Sequence, residues 1–478
     1  RDVAPSRGLG DVYKRQLLEW GALILKKSNS KDLNNDVSIK TLFCYGMGSL
    51  GNNIIYAMIS SYFLIFLTDS FGIGAAAIGT LFLIARIIDS ITDPIMGVIV
   101  DNTNTKMGKS RPYLLIVPIF MGIATVMCFS APNLSYNGKI IWLYASYILW
   151  GICFTAMDIP YWSLSANITR DPESKTKIIT TARTIAYGGG FIVSIFTIPL
   201  VAKTGNWRLV ATIYSILGVL LTWITVFGVK EINNYEQKKL KSEKQGIKQF
   251  IKLIKTNKPL RILLITMLIL EFSGALKNGV SIYYIKYNFN AEMFIPITGS
   301  LGIAASIVGG ILSPYLTKIL GKRNTALMAI SVSVAGSFTL FILSYSSLLG
   351  LILLNTIMGV LDGASYISLQ SMLADCVEYG EWKTGKRSEG MIFSANIFKS
   401  KLAGAIGGSL CGYILSYIGY KANTTQSHFT LNGIHLLSSL VPFIAGIITF
   451  LILRKYNLTE KEYAAIVEDL RNGDTLVN

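Results

Sequence analysis

Apolar stretches of about 20 residues, the length needed to cross the hydrocarbon core of a bilayer, recur along nearly the whole chain. Of its 478 residues, 51% are hydrophobic and only 15% are charged, against about 25% charged in a soluble domain. The chain therefore reads as an all-α, multi-pass membrane protein whose surroundings are the lipid bilayer. Five cysteines, all in or beside apolar runs and with no C-x-x-C pair, read as small buried hydrophobes. Two histidines, His428 and His435, argue against a histidine metal site or proton relay. The net charge of +17 does not call for nucleic acid, because the lysines lie mostly in loops on one side.

Hydropathy places about twelve spans, at 41–68, 73–101, 112–131, 140–166, 178–202, 207–229, 260–285, 292–319, 325–345, 348–372, 389–418 and 430–453. The links after the even-numbered spans are rich in Lys and Arg, and the odd-numbered links are poor in both. The positive-inside rule then puts both termini in the cytoplasm of a cell whose inner, cytoplasmic membrane holds the chain. Residues 1–16, "RDVAPSRGLGDVYKRQ", differ in composition from the rest of the chain, resemble translated adapter read-through and are left out of the fold. The expected organisation is then a cytoplasmic segment at 17–40, a bundle at 41–229, a cytoplasmic linker at 230–259, a bundle at 260–453 and a cytoplasmic tail at 454–478. Within the linker, Ile247, Phe250, Ile251 and Ile254 fall at helical spacing opposite Lys248, Lys252 and Lys255, which predicts an interfacial helix.

"GVIVDNTNTKMGK" (97–109) and "GILSPYLTKILGK" (310–322) both start with Gly, both end in Gly-Lys at the same spacing, and both leave the second span of a six-span half. Two six-helix bundles with matching basic turns point to a parallel duplication, as in the major facilitator fold.

Ionisable residues inside spans are expensive and mark function. Asp89 and Asp93 are four residues apart, on one face of the second span, and Pro94 comes next. Two carboxylates this close repel unless a cation sits between them. Proline also leaves the carbonyl of Ser90 without its helical donor. Such an oxygen-rich turn suits a hard cation; the competing reading is an ion pair with Arg86 or with a base on another helix. In the fourth span, Asp158 lies one turn before Trp162 and about one turn after Thr155. A carboxylate beside an indole suits a sugar, with hydroxyls on the acid and the ring face on the aromatic plate. Arg183, Lys399 and Lys401 are deep bases that need partners, and Asp158, Asp89 and Asp93 are the obvious ones. Glu271 and Lys277 on the seventh span read equally as a pair of opposite signs or as functional groups. The stretch "LADCVEYGEWKTGKRSEG" (373–390) is dense in both signs, and its Asp375 and Arg387 are candidate gate residues at the cytoplasmic mouth.

"DSITDPIMGVIVDNT", "MDIPYWSL" and "EYGEWKTGKRSEG" resemble the glycoside–pentoside–hexuronide:cation symporter family, over essentially all of 41–453. The resemblance implies a major facilitator fold and a cation-coupled importer of a glycoside, pentoside or hexuronide, with Na⁺ or H⁺ as coupling ion and no cofactor. It implies a monovalent-cation site of Asp89, Asp93 and Thr155, and a substrate site of Asp158, Trp162, Arg183 and Lys401. Where the melibiose-type members carry a lysine–aspartate pair on the first span, this chain has Asn52 and Asn53, which hydrogen-bond hydroxyls without supplying charge. The alternative is a symporter of the same fold for a non-sugar amphiphile or organic anion. An enzyme is not expected, since neither G-x-S-x-G nor H-E-x-x-H occurs.

Overall fold

A bilayer offers no water to backbone N–H and C=O groups, so each span pairs them within itself as a helix. The computed structural model describes residues 37–169, 172–231, 253–385, 388–472 and 475–476. The expected segment before residue 37, the linker positions 247–252 and Arg387 lie outside the described residues. The first six long helices are α1 (Ile39–Ile65), α2 (Ala75–Asn102), α3 (Arg111–Cys128), α4 (Tyr136–Ile168), α5 (Pro172–Thr204) and α6 (Trp207–Gly228). The second group is α7 (Lys258–Tyr283), α8 (Ile295–Leu320), α9 (Lys322–Leu343), α10 (Leu348–Thr384), α11 (Glu389–Tyr417), α12 (His428–Ser438) and α13 (Leu440–Leu453), followed by the amphipathic α14 (Glu460–Asn472). Polar caps start many of them: Ser38, Ser135, Asn206, Asn257, Ser347 and Ser427 each accept from a backbone N–H in the first turn.

Eleven spans among the described residues are long and apolar enough to cross a membrane, with α12 and α13 counted as one. By length α11 is a twelfth, at 29 residues; Lys399, Lys401 and four glycines (Gly404, Gly407, Gly408, Gly412) dilute its apolar character. Two details differ from the hydropathy reading. The tenth helix does not end near 372 but runs on to Thr384, so most of the charged stretch after it is helical. The last span is interrupted at Ser439 (φ −125°, ψ −60°), three residues before Pro442.

Within the first group, α1 packs on α5 and α6, and α3 on α4 and α6; within the second, α10 packs on α8 and α9, and α9 on α13. The two groups meet along α2–α11, α5–α8 and α1–α7. Glycine sets how closely helices approach: a Cβ at Gly309 on α8 would lie 1.7 Å from the Val360 carbonyl oxygen on α10.

The basic turns of the two halves are built alike. Glu231, just after α6, accepts from the backbone N–H groups of Lys109 (2.9 Å), Ser110 (3.0 Å) and Arg111 (3.0 Å) at the start of α3. Glu460, the first residue of α14, accepts from the N–H of Lys322 (2.5 Å) at the start of α9. Both carboxylates sit where unpaired N–H groups and the helix dipole favour an anion. Gly108 (φ +108°) and Gly321 (φ +82°) make the turns, and a Cβ on either would run into the carboxylate, 2.4 Å from Glu231 Cδ and 2.8 Å from Glu460 Oε1. The tail helix α14 closes the same end of the second half, with Ile466 in its core and the Trp382 indole donating to Asp469 (3.0 Å).

Candidate functional site

The second helix runs unbroken through Pro94 and turns Asp89 and Asp93 toward α4 and α11. Arg86, one turn back, donates to Asp89 Oδ2 at 3.1 Å. Gly151 on α4 faces the same carboxylate, where a Cβ would stand 3.5 Å from Asp89 Oδ1. Thr155 Oγ1 on α4 donates to Asp93 Oδ1 (3.0 Å), and Lys401 on α11 pairs with Asp93 Oδ2. Each acid is thus paired with a base of its own, Asp89 with Arg86 and Asp93 with Lys401. For Asp89, the pairing is with Arg86, the competing reading of the sequence.

One turn along α4 from Thr155, Asp158 Oδ1 accepts from Asn52 Nδ2 on α1 (3.0 Å) and from the indole N–H of Trp162 (3.1 Å). The Arg183 guanidinium on α5 stands 5.5 Å from the Trp162 ring centroid, covering one indole face. Asn53 turns to α5, where a Cβ on Gly190 would be 3.7 Å from its Oδ1. Below this group, Tyr45 and Tyr161 stack with centroids 4.6 Å apart, and each hydroxyl donates to the other residue's carbonyl, at 2.9 and 2.7 Å. That clamp fixes α1 against α4 and holds Asn52 opposite Asp158.

Of the expected substrate residues, Asp158, Trp162, Arg183 and Asn52 thus form one cluster, Asn53 faces the glycines of α5, and Lys401 stands with Asp93. Lys399 pairs with Glu271 of α7. Lys277, six residues on from Glu271, faces elsewhere and donates to Asn355 Oδ1 on α10 (2.9 Å). Among the described residues, the partner of Asp375 lies within its own half. Both its oxygens accept from Lys322 Nζ (2.8 and 2.7 Å), because α9 starts beside α10 within the same half.

A cavity of about 800 Å³ lies between the halves. Its lining begins at Tyr56 on α1 and at Tyr187 on α5, each one turn beyond the Asp158 cluster toward the end away from the basic loops. Past the cavity, that far end is shut by a polar latch. Asp69, in the π-helical turn Phe66–Ser70 that ends α1, accepts from Lys286 Nζ (2.8 Å), Tyr287 Oη (2.6 Å), Thr68 Oγ1 (2.8 Å) and Tyr420 Oη. Asn423 Nδ2 donates to its carbonyl (2.5 Å). Burial, with the Asp69 charge beside it, holds the Tyr420 hydroxyl well above the usual tyrosine range, so it stays a donor. Lys286 lies in the matching π-helical turn of α7, Tyr284–Asn288. Asp69 is not among the residues expected from sequence. The signal was a pair of opposite charges, "FLTDSFG" and "YIKYNF", at the same place in the first helix of each half.

Residues 44–460 match the family described as "MFS/sugar transport protein". The chain belongs to that family. The isoprimeverose transporter of Lactiplantibacillus pentosus is 34% identical over 413 residues, 84% of this chain and 85% of the relative. The glucuronide carrier protein homolog of Escherichia coli (strain K12) is 30% identical over 456 residues, 92% of this chain and 97% of the relative. Among solved structures, a D-xylose-proton symporter superposes with a TM-score of 0.63 at 15% identity, covering 86% of this chain and 96% of its own. A nucleoside transporter does so at 0.64 and 13%, covering 86% and 99%. These likenesses show the major facilitator fold. The protein is a multi-pass membrane transporter and not an enzyme.

Proposed function

We propose that this protein imports a glycoside, pentoside or hexuronide across a bacterial inner membrane together with a monovalent cation, Na⁺ or H⁺, with both termini cytoplasmic. The observation that carries the reading is a single turn of α4. Thr155 on it touches Asp93, and Asp158 on it gathers Asn52 and Trp162. Three residues of helix rise by only about 4.5 Å, so whatever reorders one group reaches the other. The names of the glucuronide carrier homolog and of a putative glycoside/cation symporter of Escherichia coli, 30% identical over 448 residues, support both ligands.

Arg86 and Lys401 neutralise the two acids of α2 from within the protein. A Na⁺ or proton arriving at Asp93 does so from outside and competes with Lys401. Lys401, released on α11 of the opposite half, then serves the sugar held at Asp158. Sugar bonding to Lys401 in turn keeps Asp93 open to the ion, so each ligand raises the other's affinity by the same factor. Asp158 takes hydroxyl hydrogens, and the Trp162 indole face not covered by Arg183 orients the ring. The two halves then rock about this level to open the far end and the basic end in turn.

The test is binding of a labelled glycoside titrated against Na⁺, Li⁺ and H⁺ in the wild type, Asp89→Asn and Asp93→Asn. Both variants are expected to insert and to bind sugar without cation stimulation. Wild-type stimulation in both places the ion elsewhere and sinks the reading.

A further inference from the structure

The Asp158 cluster and the cation group leave one set of charged residues unused. Lys277 on α7 and Asn355 and Asp362 on α10 line the cavity of about 800 Å³ from the second half. Asn355 and Asp362 are seven residues apart, hence on one face of α10. Lys277 Nζ gives one hydrogen bond to Asn355 Oδ1 (2.9 Å), and Asp362 Oδ1 accepts one from Ser333 (2.8 Å). Each has a neutral partner, and they make no ion pair with one another. An ammonium has three donors and a carboxylate about four acceptor positions, so most of the capacity on this wall is unspent. Charges at membrane depth are costly, and these two attract one another through space without closing into a contact ion pair.

The opposite wall is aromatic. Tyr56 on α1 is 38% exposed and Tyr187 on α5 is 46% exposed, and both line the cavity, Tyr56 resting on Trp150 and Phe154 behind it. Behind Tyr56 lies Trp150, only 5% exposed and also lining the cavity, with an indole N–H that has no partner. One wall thus offers aromatic rings, and the other offers a donor and an acceptor spaced along about two turns of α10. A group that both donates and accepts, on a flat apolar body, satisfies the two walls together. A pyranose ring with several hydroxyls is such a group, one hydroxyl taking from Lys277 beside Asn355 and another, further along α10, giving to Asp362. A simple carboxylate would suit Lys277 and be repelled by Asp362. The volume lies in the ordinary range for small-ligand sites, about 300–1,000 Å³.

We propose that Lys277, Asn355 and Asp362, facing Tyr56 and Tyr187, form a second sugar subsite that holds the distal ring of a disaccharide whose first ring rests at Asp158. This rests on the reading of the protein as a glycoside carrier. The levels agree: Asn52 to Tyr56 on α1 and Arg183 to Tyr187 on α5 are each about one helical turn, some 5–6 Å, a step that a glycosidic linkage spans. The subsite also gives the second half its own grip on the sugar, so that the ligand draws both halves together.

The experiment measures binding to the purified full chain of two matched pairs. They are methyl α-D-xyloside with α-D-xylosyl-(1→6)-D-glucose, and methyl β-D-glucuronide with β-D-glucuronosyl-(1→6)-D-galactose. The readout is the ratio of disaccharide to methyl-glycoside affinity. In the wild type one pair is expected to show a ratio of about tenfold or more, and Lys277→Met and Asp362→Asn are each expected to bring it close to one. Asp362→Asn is isosteric and carries the test if Lys277→Met does not insert. Sugar binding with no disaccharide preference in the wild type, or with the same ratio in the variants, overturns this subsite and leaves the carrier reading standing. Binding of none of the four sugars by the wild type overturns the carrier reading, and the subsite falls with it.

Discussion

Asp69→Asn removes the charge at the centre of the far-end latch with almost no change in volume. The Asp69 side chain is only 6% exposed, and three of its carboxylate donors, Lys286, Tyr287 and Tyr420, come from the second half. Opening the far end exchanges these bonds for water, so each counts at its net value, roughly 0.5–1.5 kcal/mol for a neutral donor against an ordinary acceptor and about 1.5–3 kcal/mol where charge is involved. Asparagine keeps one acceptor oxygen, loses the charge and points an NH₂ group at the same donors. Lys286 keeps a second partner in Glu292 (3.3 Å), itself 58% exposed, which softens the loss. The net change is about 2–3 kcal/mol, or about a 30- to 150-fold shift toward the state open at the far end. Ser60 lines the cavity behind the latch, and the five native cysteines are buried, which suits a reporter at Ser60→Cys. Its labelling by an impermeant maleimide applied from the far side is expected to speed up by that factor. The double exchange Asp69→Lys with Lys286→Asp is expected to restore slow labelling. Equal rates in the wild type and Asp69→Asn refute the latch.

Lys401→Met removes the internal competitor at Asp93, so the apparent affinity for the coupling ion is expected to rise by about tenfold or more, while sugar affinity falls; a cation titration of sugar binding reads both. Asp158→Asn is expected to abolish sugar binding while the protein still inserts, because Asn52 and Trp162 both donate to the same lost charge. Trp162→Phe keeps a ring but not the N–H, and is expected to weaken sugar binding by about five- to tenfold, the worth of about one hydrogen bond, in equilibrium dialysis. Gly108→Ala meets both a positive φ and the Glu231 carboxylate, and is expected to cost about 1–3 kcal/mol, seen as a lower temperature of aggregation in detergent. Unchanged thermal behaviour would remove Glu231 as the cap of α3.

Much of the fold was legible because hydropathy reports burial in lipid, and lipid is what most of these helices touch. It failed where helices leave lipid. The water-side extension of α10 to Thr384 carries Glu378, Glu381 and Lys383, which a hydropathy window counts as loop. The Asp158–Trp162 contact was legible because a spacing of four residues brings side chains together on any helix. Glu271 and Lys277, six apart, lie about 240° around the helix from one another, so their partners, Lys399 and Asn355, had to come from other helices. The same limit left open which acid each deep base would meet: Asp93 was one of the partners expected for Lys401, and only the crossing of α2 with α11 selects it. Asp69 was missed for a related reason, since its donors are spread over α7 and the loop after α11.

The carboxylate that caps α3 has a consequence for the order in which the chain is assembled at the ribosome. Gly108 and Glu231 are 123 positions apart, and four helices emerge between them. At roughly 5–20 residues per second of synthesis, the turn waits about 6–25 s before its acid exists. The backbone N–H groups of Lys109, Ser110 and Arg111 must spend that interval with water or lipid headgroups. Glu460 repeats the arrangement 139 positions after Gly321. Each half is therefore drawn shut like a bag by a cord threaded last, and a nascent chain released before Glu231 leaves the first half with its mouth untied.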